Sequence, residues 1–156
     1  MALTGHAFGG TVVMMPKFDP EKALEIIQKY RVTHGQWVPT QLLRIYKLKD
    51  EIKSKYDLSS LEYVLHAAAP CPVELKNNLL DWMGPVIYEY YSGSEGAGMT
   101  HATPEDAMKY PGTVGKALMG IIHVCDEDGK ELPIGKIGKI YFCLLYTSDA
   151  ADDQLG

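Results

Sequence analysis

Short apolar runs alternate with amphipathic segments along most of this chain, and few folds accommodate such an alternation. Asp19 and Pro20 suit the N-cap and the first position of a helix. Leu24 and Ile27 follow at helical spacing, which predicts a helix to about Tyr30. Strands that alternate with helices favour an α/β fold with a mostly parallel sheet flanked by helices. Further helices are predicted to begin at Pro39 and Pro72, and strands are predicted over residues 11–15, 31–38, 61–66 and 86–91.

The second half of the chain has a different pattern. Residues 120–125 and 138–142 are short apolar runs, and between them lies the turn-forming pair Asp128 and Gly129. Such a pattern predicts antiparallel strands, so we expect a β-hairpin appendage after the α/β part.

Composition and charge exclude several classes of function. The 156 residues are 46% hydrophobic and 22% charged, as in ordinary globular proteins. A formal net charge of −5 without a basic run argues against nucleic acid as a partner, and no apolar stretch is long enough for a transmembrane segment. Cys71, Cys125 and Cys143 are odd in number and widely spaced, which predicts free thiols in a reducing, cytoplasmic location.

The segment YYSGSEG, residues 90–96, combines the groups that a phosphate ligand needs. It places an aromatic ring, small residues, a hydroxyl and a carboxylate directly after a predicted strand. Ligands of open α/β sheets bind beyond the carboxyl ends of the strands, and a carboxylate can hold Mg²⁺. From these residues alone, a plain surface turn accounts for the segment equally well.

The segment HAAAPCP, residues 66–72, is the second candidate. Its three alanines are too small to block a neighbour, and its prolines begin a helix. Residues of this kind form a tightly packed corner between a strand and a helix, and they also suit a turn that a ligand approaches closely. The sequence leaves both interpretations open.

Both segments resemble motifs of the adenylate-forming, AMP-binding superfamily, which includes the acyl-CoA synthetases. YYSGSEG is similar to the signature Tyr-Gly-x-Thr-Glu of that superfamily. The resemblance implies that Tyr91 stacks on adenine, that Ser94 contacts the phosphates and that Glu95 binds Mg²⁺. Ser94 and Glu95 are thus the implied catalytic residues, and Ser92 and Gly93 the neighbouring nucleotide-binding positions. Ser92 stands where the superfamily usually has glycine.

HAAAPCP aligns with a Gly-Gly-Ala-Pro-like turn whose backbone lines the nucleotide pocket of that superfamily. The resemblance implies an acyl pocket bordered by residues from three segments. The implied nucleotide-binding residues of the turn are Ala67, Ala68, Ala69 and Pro70, and the implied pocket residues are Trp37, Val38, His66 and Gly96.

The resemblance extends in order from Gly9 to Phe142. It includes a Pro-Gly-Ser-Val-Gly-like turn at residues 111–115. Residues 1–142 are therefore expected to be part of an adenylation domain, because the phosphate-binding loop, the Thr-Gly-Asp segment and the C-terminal catalytic lysine of the superfamily have no counterpart here. Residues 143–156 resemble a translated sequencing adapter, which indicates a non-native tail.

The implied function is that of an ATP-dependent acyl-CoA synthetase, of which this chain is an inactive internal fragment. Such an enzyme uses ATP and Mg²⁺ to adenylate a fatty or other hydrophobic carboxylic acid, and CoA is the co-substrate. Two alternatives stay open: an α/β module that binds adenine nucleotides without catalysis, and a mis-assembled reading frame with no function.

Overall fold

The chain folds as an α/β sheet with helices and a separate two-stranded ribbon. The structure is a computed structural model, and it describes residues 2–94 and 96–143. Its helices are α1 (Ala2–Ala7), α2 (Pro20–Tyr30), α3 (Pro39–Tyr46), α4 (Asp50–Lys53), α5 (Val73–Met83) and α6 (Pro104–Lys109). Its strands are β1 (His34–Trp37), β2 (Tyr63–His66), β3 (Ile87–Ser92), β4 (Met99–Ala102), β5 (Lys116–Met119), β6 (Ile121–Cys125) and β7 (Lys139–Cys143).

The main sheet has five strands in the order β1-β2-β3-β4-β5. β1, β2 and β3 are parallel, as the strand–helix alternation predicts, whereas β4 and β5 add antiparallel strands to one side. β6 and β7 form the predicted antiparallel hairpin. The fold class inferred from the sequence is therefore confirmed.

Local sequence signals set the helix ends. The Asp19 carboxylate accepts a hydrogen bond from the Lys22 backbone N–H at 2.8 Å, which caps α2, and Pro20 occupies its first turn. At the other end, Arg31 takes a left-handed conformation with φ 50°. Leu24 and Ile27 are buried as predicted, but Tyr30 is more than half exposed, because it lies in the last turn of α2.

One face of the sheet carries the hydrophobic core. Val64 of β2 and Ile87 of β3 are paired, and they pack with Leu42 of α3 and Leu79 of α5. Each of these side chains is essentially inaccessible to solvent. Burial of one such side chain contributes roughly 1.5–3 kcal/mol. The helices thus fix the sheet from this face.

The opposite face of the sheet carries aromatic rings. Tyr63 and Tyr88 stack with their centroids 4.1 Å apart, and His101 lies parallel to Tyr63. The Tyr63 hydroxyl and His101 Nε2 are 2.7 Å apart, within hydrogen-bonding distance. His101 belongs to β4.

One sequence prediction about strands is wrong, and one stretch of regular structure was not predicted. Residues 11–15 form no strand, and Met14 is largely exposed, because no other strand of the described chain lies beside them. The segment after residue 96, for which the sequence predicted neither helix nor strand, contains β4, α6 and β5. Strands of four residues with mixed polarity carry little signal of their own, and they form here because β3 offers a free edge. Among the described helices, none has the length and apolar character that spanning a membrane requires.

We expect Gly115→Ala to destabilise the fold far more than Gly112→Ala. Both glycines are left-handed, with φ 87° and 85°, so alanine costs about 1–2 kcal/mol at either position. A Cβ at Gly115 would also overlap the main-chain carbonyl of His101, whereas at Gly112 the nearest atom is Val73 Cγ2 at 3.5 Å. The free energy of unfolding, from urea denaturation followed by tryptophan fluorescence, should fall by about 3 kcal/mol for Gly115→Ala and by about 1 kcal/mol for Gly112→Ala. Equal losses would show that β4 and Gly115 are not in close contact.

A second prediction follows from backbone strain at Ala68. Ala68 has φ 73°, a conformation that glycine adopts at no steric cost. Ala68→Gly should leave the free energy of unfolding unchanged or raise it by up to about 1 kcal/mol, because relief of strain exceeds the entropy gained by the unfolded chain. The matched change at buried Ala67, whose φ is not positive, should lower it by about 1 kcal/mol. Urea denaturation of the two variants measures both changes. A similar loss of unfolding free energy in both would refute backbone strain at Ala68.

Candidate nucleotide-binding site

The carboxyl ends of the three parallel strands meet at one edge of the sheet. Trp37 pairs with His66, and His66 pairs with Glu89, so β1, β2 and β3 end side by side. Crevices at such an edge are where open α/β sheets bind ligands. The segments that follow the three strands are the ones in which the sequence places its candidate site residues.

The turn after β2, residues 67–70, exposes its backbone. Ala67 is buried beneath the turn, while Ala68, Ala69 and Pro70 are exposed. The left-handed conformation of Ala68 turns the chain sharply at this point. Because the side chains are methyl groups or a proline ring, a planar ligand can lie directly against the main chain.

The loop after β3 is closed by a side-chain hydrogen bond. The Ser92 hydroxyl donates to the Gly98 carbonyl at 2.7 Å, and this hydrogen bond joins the two ends of the loop. Ser92 therefore has a structural role in addition to being a candidate ligand position. Gly93, Ser94 and Gly96 are exposed on the loop, where the Gly96 N–H donates to the Gly93 carbonyl at 3.2 Å. The loop therefore presents the Ser94 hydroxyl to solvent in front of the sheet edge.

Glu95 lies outside the described residues. Its assignment as a catalytic residue and Mg²⁺ ligand stays a prediction. In the described part of the chain, no group of three or more acidic, histidine or cysteine side chains could hold a metal ion.

Tyr91 projects from β3 with nearly half of its surface exposed, and one face of its ring is partnered by Phe142. The ring centroids are 6.2 Å apart with an interplanar angle of 26°. The Phe142 ring also covers Gly98, where any Cβ would overlap it. Strand β7 of the hairpin therefore contributes to the site, which sequence reasoning missed because residues more than forty positions apart give no local signal.

Trp37 and Val38 face the protein interior more than an open pocket. The Trp37 ring packs against the hydrophobic core and folds over Gly35, which leaves no space for a Cβ there. Val38 is half-buried at the start of α3, where its N–H donates to Gln41 Oε1 at 3.1 Å. Their role in an acyl pocket stays a prediction.

His66 is completely buried beside an ion pair that the sequence did not indicate. The Lys76 ammonium of α5 donates a hydrogen bond to the Glu89 carboxylate of β3, and His66 Nε2 lies 3.9 Å from the same carboxylate. Burial, and then the charge of Lys76, lowers the pKa of His66 to about 4, so its imidazole is neutral at pH 7. In this chain His66 borders the charged pair, and its role in a substrate pocket stays a prediction.

Cys71 lies close to the same pair and is not a nucleophile. Burial is the main cause that raises the pKa of its thiol to about 11, which keeps it protonated at neutral pH. Cys71 is also one of the free cysteines, as the sequence predicts.

Known proteins of the same fold share both the sequence pattern and the sheet. The AMP-binding enzyme family matches residues 1–143. A 4-coumarate–CoA ligase of Pinus taeda is 35% identical over 144 residues, which are 85% of this chain and 26% of that protein. The chain spans about a quarter of the length of the curated relatives it matches.

Solved structures give the same result. The amide bond synthetase McbA from Marinactinospora thermotolerans superimposes with a TM-score of 0.77 at 30% identity, over 86% of this chain and 27% of that one. The anthranilate CoA ligase AuaEII, solved with anthranoyl-AMP, superimposes with a TM-score of 0.72 at 25% identity, over 85% of this chain and 26% of that one. From the match over residues 1–143 and the shared sheet, we conclude that the chain belongs to the AMP-binding enzyme family.

Proposed function

We propose that the longer protein to which this chain corresponds is an AMP-forming acid–thiol ligase. The observation that carries the proposal is the sheet edge at which an exposed, small-residue turn and the loop with Tyr91 and Ser94 lie side by side. Membership of the AMP-binding family supports the same chemistry. Residues 1–142 would then form part of the adenylation domain, and residues 143–156 a non-native tail.

The reaction has two balanced steps. A carboxylate oxygen of the acid attacks the α-phosphorus of ATP, and pyrophosphate leaves to give an acyl-adenylate. The thiolate of CoA then attacks the acyl carbonyl, and AMP leaves. Bound Mg²⁺ neutralises phosphate charge during the first step.

The residues of this chain supply binding and orientation. The Tyr91 ring would stack on adenine from β3, and the backbone at residues 67–70 would line the opposite side of the base. The Ser94 hydroxyl would donate to a phosphate oxygen, and Glu95 would be a carboxylate ligand of the metal, whose remaining ligands would be phosphate oxygens and water. Trp37, Val38, His66 and Gly96 remain the proposed border of the acyl pocket.

The substrate is proposed to be a hydrophobic carboxylic acid. The sequence resemblance favours a fatty acid. The names of the relatives specify 4-coumarate and anthranilate, which support an aromatic acid. The free cysteines of the described chain are consistent with a cytoplasmic location, which is part of the same proposal.

Acid-dependent exchange of pyrophosphate into ATP tests the proposal on the full-length protein. Exchange with 4-coumarate, anthranilate, octanoate or palmitate is the expected result, and the acid with the largest kcat/KM identifies the substrate class. ATP binding without exchange for any acid would favour the non-catalytic module instead. Sequencing of the source DNA across codon 142 tests the third alternative, a mis-assembled reading frame, independently of the ligase and the non-catalytic module.

Ser94→Ala should lower kcat for exchange by about 100-fold, since one donor to developing phosphate charge is lost. Ser94→Thr keeps the hydroxyl and should retain most of the activity. Ser54→Ala is the matched control, because Ser54 is exposed at the end of α4 and its hydroxyl donates to the Glu51 carbonyl. If Ser94→Ala retains the wild-type kcat, the Ser94 hydroxyl does not contact the phosphates in the reaction.

Tyr91→Ala should raise KM for ATP by about tenfold, since stacking of a base on an aromatic ring contributes about 1–3 kcal/mol. Tyr91→Phe keeps the ring and should leave KM within about twofold of wild type. Steady-state exchange at varied ATP concentration measures both. If Tyr91→Phe is as impaired as Tyr91→Ala, the hydroxyl and not the ring is the functional group.

A further inference from the structure

The ion pair between Lys76 and Glu89 is buried within the protein. Lys76 is 4% exposed and Glu89 is 7% exposed, and the ammonium donates directly to the carboxylate. Replacement of a buried ion pair by apolar residues is often neutral or stabilising. The pair is therefore not explained by its contribution to stability alone.

The pair lies where it can act on both candidate ligand segments. Glu89 is two residues before Tyr91 on β3, and in the sheet it is directly opposite His66. His66 in turn immediately precedes the turn at residues 67–70. Lys76 is in the first half of α5, the helix that begins just after that turn. One hydrogen-bonded ion pair thus ties the strand of the aromatic residue to the helix that follows the turn.

We propose that Lys76 and Glu89 are positioning residues that hold the turn after β2 and the loop after β3 in the arrangement that binds adenine nucleotide. His66 is the neutral third member of this cluster. The inference rests on the proposed nucleotide chemistry, but it concerns residues that do not touch the nucleotide.

The charges of the cluster determine how it responds to pH. The charged groups beside His66 are Lys76 from α5 and Glu89 from β3, and the protonated Cys71 thiol lies near the same two charges. The β1 residue paired with His66 is Trp37, which does not titrate. Among the described residues, neither ring nitrogen of His66 has a hydrogen-bond partner. One positive and one negative charge already balance, so the cluster is neutral only with a neutral imidazole.

Removal of the Lys76 charge favours the protonated form of the His66 imidazole over the neutral form. Glu89 then becomes a lone buried carboxylate, and His66 is the closest group that can gain a proton. The carboxylate stabilises the imidazolium, so the pKa of His66 rises in Lys76→Met. As the pH falls, protonated His66 can donate to the Glu89 carboxylate and tie the end of β2 to β3 in place of the missing link from α5.

The test is the dissociation constant for AMP of the full-length protein at pH 8 and pH 6, measured by calorimetry and expressed relative to wild type at each pH. Lys76→Met should bind AMP about tenfold more weakly at pH 8 and recover most of that loss at pH 6. Lys76→Met combined with His66→Gln should show the loss without the recovery. The matched control is Lys22→Met, which should leave AMP binding unchanged. It breaks an exposed ion pair in which Lys22 Nζ lies 2.7 Å from Glu25 Oε1.

A lone buried carboxylate can prevent folding, so a charge-neutral variant completes the test. Lys76→Met with Glu89→Gln removes both charges and should weaken AMP binding about tenfold at both pH values, with an unchanged far-ultraviolet circular dichroism spectrum. Wild-type affinity of this folded double variant, or equal pH recovery with and without His66, would overturn the inference. Wild-type protein that binds AMP but catalyses no exchange would refute the ligase and leave the positioning role intact, because the two measurements are separate.

Discussion

The parallel pairing of β1, β2 and β3 determines most of what this chain can do. Each strand has only four to six residues, yet their shared direction brings the ends of all three to one edge. Had β2 and β3 been antiparallel to each other, the turn at residues 67–70 and the loop after Ser92 would lie at opposite ends of the sheet. Helices α2, α3 and α5 maintain this pairing, because their apolar faces cover the same side of the three strands.

The two faces of the sheet differ in chemistry. The covered face contains aliphatic side chains and, near the strand ends, the charged cluster of His66, Lys76 and Glu89. The other face carries stacked tyrosines and histidines, of which Tyr63 and His101 are also hydrogen-bonded. Buried charge therefore lies directly behind the candidate ligand-binding edge, where a small shift of either strand would move the candidate segments. Aliphatic packing alone tolerates such shifts more readily, since its contacts are not directional.

The positions of α2, α3 and α5 could be predicted from sequence with little error, whereas α1 and α6 were not predicted. Prolines at positions 20 and 39 and the Asp19 cap are local signals, and a helix forms wherever its first turn is stabilised in this way. The antiparallel strands β4 and β5 could not be predicted, since MTHA and KALM have no strand periodicity and are ordered only by their neighbours. Residues 11–15 illustrate the converse, because an apolar run with no adjacent strand stays irregular.

The sequence by itself determined the fold class, the family and the choice of segments proposed to bind a nucleotide. These properties depend on residue type and local order, which an amino-acid sequence records directly. Only the tertiary structure decided that Phe142 partners Tyr91, that Ser92 closes its own loop, and that Lys76 and Glu89 meet behind the site. Each of these contacts joins groups from different positions along the chain, and their energies depend on distance and burial, which exist only once the strands have paired.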